Sequence, residues 1–220
     1  MPHNYHGTFV TFEGLDYSGK TTQAIKLIDY LNNHESVKDK RRVLHLREPG
    51  GTVIGDKVRE ILLDKYRLEM TNQTELLLFS AARAQIVAEL ITPSLKVGDV
   101  VVLDRFYDLT TAYQGYGRGI DMNIINTITN FAVNGVEPDL TFIVDISIEE
   151  MKRRQRASGL NIDRMESSGI EFFKRVQEGY VNLRKEFPER MVGVDGKKDR
   201  GEIHKKIMIY VDKLLKQKYL

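Results

Sequence analysis

Eight consecutive residues, Gly14-Leu15-Asp16-Tyr17-Ser18-Gly19-Lys20-Thr21, set two glycines, a lysine and a hydroxyl at the spacing G-x-x-x-x-G-K-[ST]. That combination suits one kind of chemistry. The glycines let the backbone curl so that successive N–H groups face inward onto anionic oxygens. A helix opening directly after the loop adds its partial positive end. Lys20 is placed to reach the β- and γ-phosphates of a nucleoside triphosphate, and the Thr21 hydroxyl to ligate Mg²⁺. Gly14, Leu15, Asp16, Tyr17, Ser18, Gly19, Lys20, Thr21 and Thr22 are therefore the candidates for holding the triphosphate. The loop does not choose between a kinase, a GTPase-like switch and a motor.

Other segments carry charge or hydrogen-bonding groups at telling places. Asp104 closes the apolar run Val100-Val101-Val102-Leu103 and is followed at once by Arg105. An acid there can complete a magnesium shell, and it can equally cap the next helix. The fork of donors on Arg105 suits a phosphate dianion. Phe79 and Arg83 are four apart and share a helix face, a platform for a flat base. Taken alone, the same spacing describes a core phenylalanine and a surface arginine. Thr110 to Gly119 is dense in hydroxyls, amides and glycines, which can wrap a sugar or a base or form a polar turn. Lys152, Arg153, Arg154 and Arg156 end a helix before a glycine-containing stretch that leads to Asp163-Arg164-Met165-Glu166. Such a cluster serves either the helix dipole or a mobile lid, here residues 152–166, that brings an arginine to a transferring phosphoryl group.

These groups need a scaffold, and the apolar pattern supplies one. Strands are expected at Thr8–Glu13, Val43–Arg47, Val100–Asp104, Leu140–Asp145 and Met191–Val194. Helices are expected near Lys20–Asn33, Ile54–Asp64, Asn72–Leu90, Asn123–Val133, Ile148–Arg156, Ile170–Glu186 and Gly201–Lys216. Pro93 is expected to end or kink the third of these. Strands alternating with amphipathic helices predict an α/β, three-layer, doubly wound sheet of five mainly parallel strands, of the P-loop NTPase type. Ligands of such a sheet sit at the carboxyl ends of its strands, where the candidate residues cluster.

The whole chain fits one kinase domain, residues 1–220, without a linker. With 33 basic and 31 acidic side chains the net charge is only +2, which argues against a coat for nucleic acid or for an anionic membrane. There is no cysteine, so disulfides, thiolate metal sites and cysteine nucleophiles are excluded. Met1 to Gly7 is polar and no run is expected to approach a bilayer-spanning length, so the expected location is the cytoplasm.

Taken in order, the segments resemble the thymidylate kinase family. The resemblance runs from Phe12-Glu13-Gly14-Leu15-Asp16 through the phosphate loop to Arg47-Glu48-Pro49-Gly50-Gly51-Thr52. It continues through Ala82-Arg83, Asp104-Arg105-Phe106 and Ala112-Tyr113-Gln114-Gly115 to Asp163-Arg164-Met165-Glu166. It implies ATP and Mg²⁺, dTMP as acceptor, and a homodimer. Asp16 is implied at the acceptor sugar and phosphates, and Arg47 and Arg105 on the acceptor's 5′-phosphate, with Pro49 beside them. Phe79 is implied on thymine, Arg83 at its carbonyl edge, and Thr111, Tyr113 and Gln114 around base and deoxyribose. Thr21 and Asp104 are implied at the metal. The loop interior holds no arginine, so the catalytic cation is expected from the lid, Arg153 or Arg156 with Arg164 in support. Tyr17 departs from the pattern, standing where a glycine or another small residue is expected.

Two rivals remain at this level. A deoxynucleoside kinase would need a carboxylate base, for which Glu13 is available. A non-catalytic nucleotide switch would need the phosphate loop but no acceptor pocket.

Overall fold

The computed structural model describes residues 5–66 and 69–219. Met1–Asn4, Arg67, Leu68 and Leu220, which the single-domain expectation includes, lie outside the described residues. Five strands form one sheet in the order β2-β3-β1-β4-β5, and every pairing is parallel. They are β1 (Thr8–Glu13), β2 (Val43–Arg47), β3 (Val100–Asp104), β4 (Leu140–Asp145) and β5 (Met191–Asp195). Four match the sequence expectation in both bounds and β5 extends one residue further.

The layers follow from the two faces of β1, all of whose residues are buried. Val10 and Phe12 point to one side, against Leu27 and Leu31 of α1 (Lys20–Asn33) and Ile207 and Val211 of α9 (Arg200–Tyr219). Phe9 points to the other, with Val101 and Leu103 of β3, against Ile86 and Leu95. A strand covered on both faces has no polar side to show, which is why its sequence does not alternate. A third apolar cluster joins Leu15, Phe79 and Tyr113 to Phe172, Phe173, Val176 and Tyr180 of α8 (Ile170–Glu186). It props up the loop side of the sheet.

The helices expected near Ile54, Asn123 and Ile148 are α2 (Val53–Leu63), α6 (Met122–Val133) and α7 (Ile148–Ser158). Pro93 does not end its helix. The chain runs as α3 (Asn72–Ile86), widens to a π-helical turn over Val87–Ile91, and resumes as α4 (Thr92–Lys96) with the proline in the first turn. There a missing N–H costs nothing, and the wide turn, with Thr92 N–H donating to Val87 O, absorbs the misfit. The joined helix Asn72–Lys96 is long and apolar enough to cross a membrane by length and composition, contrary to the expectation of no such run. It packs against α2 and α6 and carries the buried charges Glu75 and Arg83. The Thr110–Gly119 segment is also helical: α5 (Tyr107–Thr110) passes into a π-helical stretch over Thr111–Gly117.

Candidate active site

The carboxyl ends of β1, β2 and β3 open onto one cavity of about 890 Å³. Its wall includes Asp16 to Gln23, Arg47, Glu48, Arg59, Asp104, Arg105, Arg153, Arg154 and Gly196. The phosphate loop is shaped by left-handed glycines, Gly14 at φ 128° and Gly19 at φ 102°. Gly14 tolerates no other residue, since a Cβ there would lie 2.4 Å from Val144 O. Lys20 Nζ folds back to donate to Gly14 O at 3.0 Å and Leu15 O at 2.6 Å. Burial, then Arg105, brings its ammonium down to about 8.

Thr21 Oγ1 donates to Asp104 Oδ2 at 2.5 Å, while Asp104 Oδ1 is buried without a partner. Asp104 does not cap the following helix, whose N-cap is Phe106 with no side-chain bond. Among the described residues no three His, Cys, Asp or Glu side chains converge as a metal cage. One carboxylate, one hydroxyl and substrate phosphates is nevertheless the usual donor set for Mg²⁺, and the orphaned carboxylate oxygen fits it.

Over the same loop Arg105 ion-pairs with Asp16 and donates to Gly14 O at 3.4 Å. Burial raises the Asp16 carboxyl, but Arg105 and Lys20 together hold it below the usual carboxylate range. Tyr113 O–H donates to Asp16 Oδ2 at 3.3 Å. Arg47 and Arg59 line the same region, and Arg59 Nη1 donates to Pro49 O at 2.8 Å. Burial first, then the neighbouring cations Arg47 and Arg105, lower the Arg59 pKa. Sequence reasoning missed Arg59. An arginine midway along an amphipathic helix reads as solvated, and only the packing of α2 brings it to the cavity.

Several expected ligand residues sit behind this cavity rather than on its wall. Phe79 is buried in the third apolar cluster. Arg83, expected alone at the surface, is 1% exposed and donates to Glu48 Oε2 (2.9 Å), Thr110 Oγ1 (2.8 Å) and Phe106 O (3.2 Å). Burial lifts the Glu48 carboxyl to about 7 against the pull of Arg83, and Glu48 Oε1 has no partner. Thr111 and Gln114 are buried, and Gln114 Nε2 donates to Glu75 Oε1 at 2.9 Å. Glu75 also receives Arg118 and Arg164, at 3.0 and 2.6 Å. Arg164 is thus bound to Glu75 and Leu62 O, away from the triphosphate loop where sequence placed it. Its buried guanidinium needs a buried carboxylate, and Glu75 provides it.

The arginines at the end of α7 separate clearly. Arg153 lines the cavity and pairs with Glu150 at 2.7 Å. Arg154 braces the phosphate loop, donating to Tyr17 O (3.2 Å), Ser18 O (3.3 Å) and Gly196 O (2.8 Å). Arg156 is exposed, bonds only Lys152 O (3.3 Å) among the contacts described, and does not line the cavity. Tyr17, at φ 61°, donates its O–H to Glu166 Oε2 at 3.1 Å.

The geometry gathers a glycine-shaped loop bearing Lys20 and Thr21 and the guanidiniums of Arg47, Arg59 and Arg105 around one cavity. The thymidylate kinase family model matches residues 12–207. The chain belongs to the thymidylate kinase family. A thymidylate kinase of Thermoanaerobacter sp. (strain X514) is 44% identical over 210 residues, covering 95% of this chain and 99% of the relative. One of Chlorobaculum parvum is 42% identical over 207 residues, covering 90% and 93%. The crystal structure of thymidylate kinase from Ehrlichia chaffeensis is similar with a TM-score of 0.74 at 33% identity, covering 93% of this chain and 98% of that one. The all-parallel sheet with helices on both faces is therefore the family's architecture.

Proposed function

We propose that this chain transfers the γ-phosphoryl group of ATP to the 5′-phosphate of dTMP, giving ADP and dTDP. The observation that carries the reading is the shared cavity: Lys20 and Thr21 of the loop line it together with Arg47, Arg59 and Arg105. An acceptor hydroxyl would not call for three guanidiniums. An acceptor phosphate does, because two polyanions must be held within bonding distance.

In the transfer, a bond forms between an acceptor phosphate oxygen and the γ-phosphorus as the bond to the β–γ bridging oxygen breaks. The acceptor is already ionised at neutral pH, so no side chain has to remove a proton. Lys20 leaves its loop carbonyls for the β- and γ-oxygens. Arg105, steered by Asp16, holds the acceptor phosphate in line, with Arg47 and Arg59 beside it. Arg153 supplies positive charge as the transferring group develops its transition state. Thr21 and Asp104 would hold Mg²⁺, which neutralises phosphate charge.

Behind the wall, Phe79, Arg83, Thr111, Tyr113 and Gln114 form the base and deoxyribose pocket in this reading. The unpartnered Gln114 Oε1 and Glu48 Oε1 support it, since a buried orphan acceptor is costly without a ligand. The same reading makes the protein a cytoplasmic homodimer. Exposed Ile124 and Phe131 lie seven apart on α6, and Leu77 on neighbouring α3 extends an apolar face suited to self-association.

The deoxynucleoside kinase rival loses its base, because Glu13 is fully buried and both its oxygens are bonded within the protein. The test is ADP production with MgATP and dTMP, dUMP, thymidine or no acceptor. Turnover that depends on dTMP with little response to thymidine is expected. ADP release indifferent to the acceptor would leave an ATPase and remove the acceptor pocket.

A further inference from the structure

Glu13 ends β1 and abuts Gly14, yet its side chain turns away from the cavity into the protein. Its Oε1 accepts the Phe106 N–H at 2.7 Å, and its Oε2 accepts the Tyr180 O–H of α8 at 2.9 Å. Phe106 is the residue directly after Arg105. Arg105's own N–H donates to Phe12 O at 3.0 Å. The last two residues of β1 therefore grip the peptide units on both sides of Arg105, one through its backbone and one through its carboxyl.

That grip falls on strained backbone. Arg105 has φ 72°, in the left-handed region that costs a residue with a side chain roughly 1–2 kcal/mol. Such a conformation persists where surrounding bonds over-determine it, and it concentrates at functional sites. Here it turns the side chain back over the phosphate loop, onto Asp16 and Gly14 O. From an ordinary extended backbone the same side chain would leave in another direction.

We propose that Glu13 is a positioning residue: by accepting the Phe106 N–H it locks Arg105 in the left-handed conformation that aims its guanidinium at the acceptor phosphate. The proposal rests on the phosphoryl-transfer reading above and gives that site a residue that never touches substrate. Acceptance of an N–H needs an oxygen, not a charge. Burial, then Asp108, lifts the Glu13 carboxyl to about 7, and a protonated carboxyl still has an acceptor oxygen. Glutamine, which keeps an acceptor oxygen in the same place, is therefore a functional replacement, and alanine is not.

The test is steady-state kinetics with both substrates for Glu13→Gln, Glu13→Ala and the wild type, and for Glu13→Ala in an Arg105→Ala background. Glu13→Gln is expected within about threefold of wild type in every parameter. Glu13→Ala is expected to raise the KM for dTMP about tenfold or more and to move the KM for ATP by less than about threefold, since misaimed binding groups lose their own ligand first. Without Arg105, Glu13→Ala is expected to add nothing further to the dTMP KM. The proposal is overturned by an unchanged dTMP KM in Glu13→Ala, by equal damage to both KM values, or by Glu13→Gln behaving like Glu13→Ala. Should Glu13→Ala not fold, Tyr180→Phe releases only Oε2 and is expected to raise the dTMP KM alone by about two- to fivefold; no rise overturns the proposal equally. A wild type inactive on dTMP would sink the function itself and the inference with it. An active wild type with insensitive variants sinks only the role of Glu13.

Discussion

Thr21 Oγ1 lies 2.5 Å from Asp104 Oδ2, joining the first turn of α1 to the end of β3 across 83 residues of chain. The relationship aligns a hydroxyl and a carboxylate on the side of the loop where a triphosphate's oxygens arrive. The second Asp104 oxygen is buried and unpartnered, so the carboxylate has one acceptor committed and one to give. Asparagine at this position keeps the bond to Thr21 but carries no charge for a cation. Asp104→Asn is expected to raise the Mg²⁺ concentration for half-maximal activity about 10- to 100-fold, with the dTMP KM nearly unchanged. Titration of Mg²⁺ at fixed ATP measures it, and an unaltered midpoint removes Asp104 from the metal site.

Arg59 gives the acceptor wall a third guanidinium, anchored on Pro49 O at 2.8 Å. Burial is the main cause of its lowered pKa, and Arg47 and Arg105 add a smaller repulsion that an anion would relieve. Arg59→Ala removes a charged hydrogen-bond donor worth roughly 1.5–3 kcal/mol, so the dTMP KM is expected to rise about 10- to 100-fold. The ATP KM should stay close to wild type. A variant that loses affinity for both substrates alike would show Arg59 to be structural.

The strands and the phosphate loop were legible because each rests on local pattern. The unbroken apolar run at Val100 to Leu103 needs both faces covered, and Gly14 and Gly19 need left-handed backbone. Side-chain roles that depend on packing between distant segments were not. The pairing of Arg164 with Glu75, 89 positions earlier, could not be read from spacing. Arg154 stood in a basic cluster with no role of its own, and Arg59 drew no reading at all. Of the two outcomes expected at Pro93, the helix does not end there, because the π-helical turn before it accommodates the proline at the start of α4.

Among the arginines that end α7, contacts differ: Arg154 braces the phosphate loop, and Arg153 lines the cavity. Arg153 is exposed and, among the contacts described, held by Glu150, a surface pair that is a weak tether. Arg153→Ala is expected to lower kcat by at least about 100-fold with little change in the dTMP KM. Arg154→Ala, which unties the loop carbonyls of Tyr17 and Ser18, is expected to lower kcat and raise the ATP KM together, about tenfold each. Arg156→Ala should remain within about threefold of wild type. Single-turnover kinetics distinguish these patterns, and a sensitive Arg156 beside a neutral Arg153 would reverse the assignment.

Glu48 couples the acceptor wall to stability. Its carboxyl is buried, bonded on one oxygen to Arg83 and lifted to about 7 from an ordinary 4.5. A carboxyl with a raised folded-state pKa favours folding while both states are protonated, below the unfolded value. As pH climbs from about 4.5 the unfolded chain ionises first, and the contribution is lost by the time pH passes the folded value near 7. The ceiling on that loss is on the order of 3 kcal/mol. Glutamine keeps an oxygen for the Arg83 Nε–H but cannot ionise. Between pH 5 and 8 the Tm of Glu48→Gln is therefore expected to fall less than that of the wild type, with the two curves diverging most between pH 5 and 7. Thermal melts across that range decide the matter: parallel curves would mean that Glu48 is ionised at all these pH values and that Arg83 outweighs its burial.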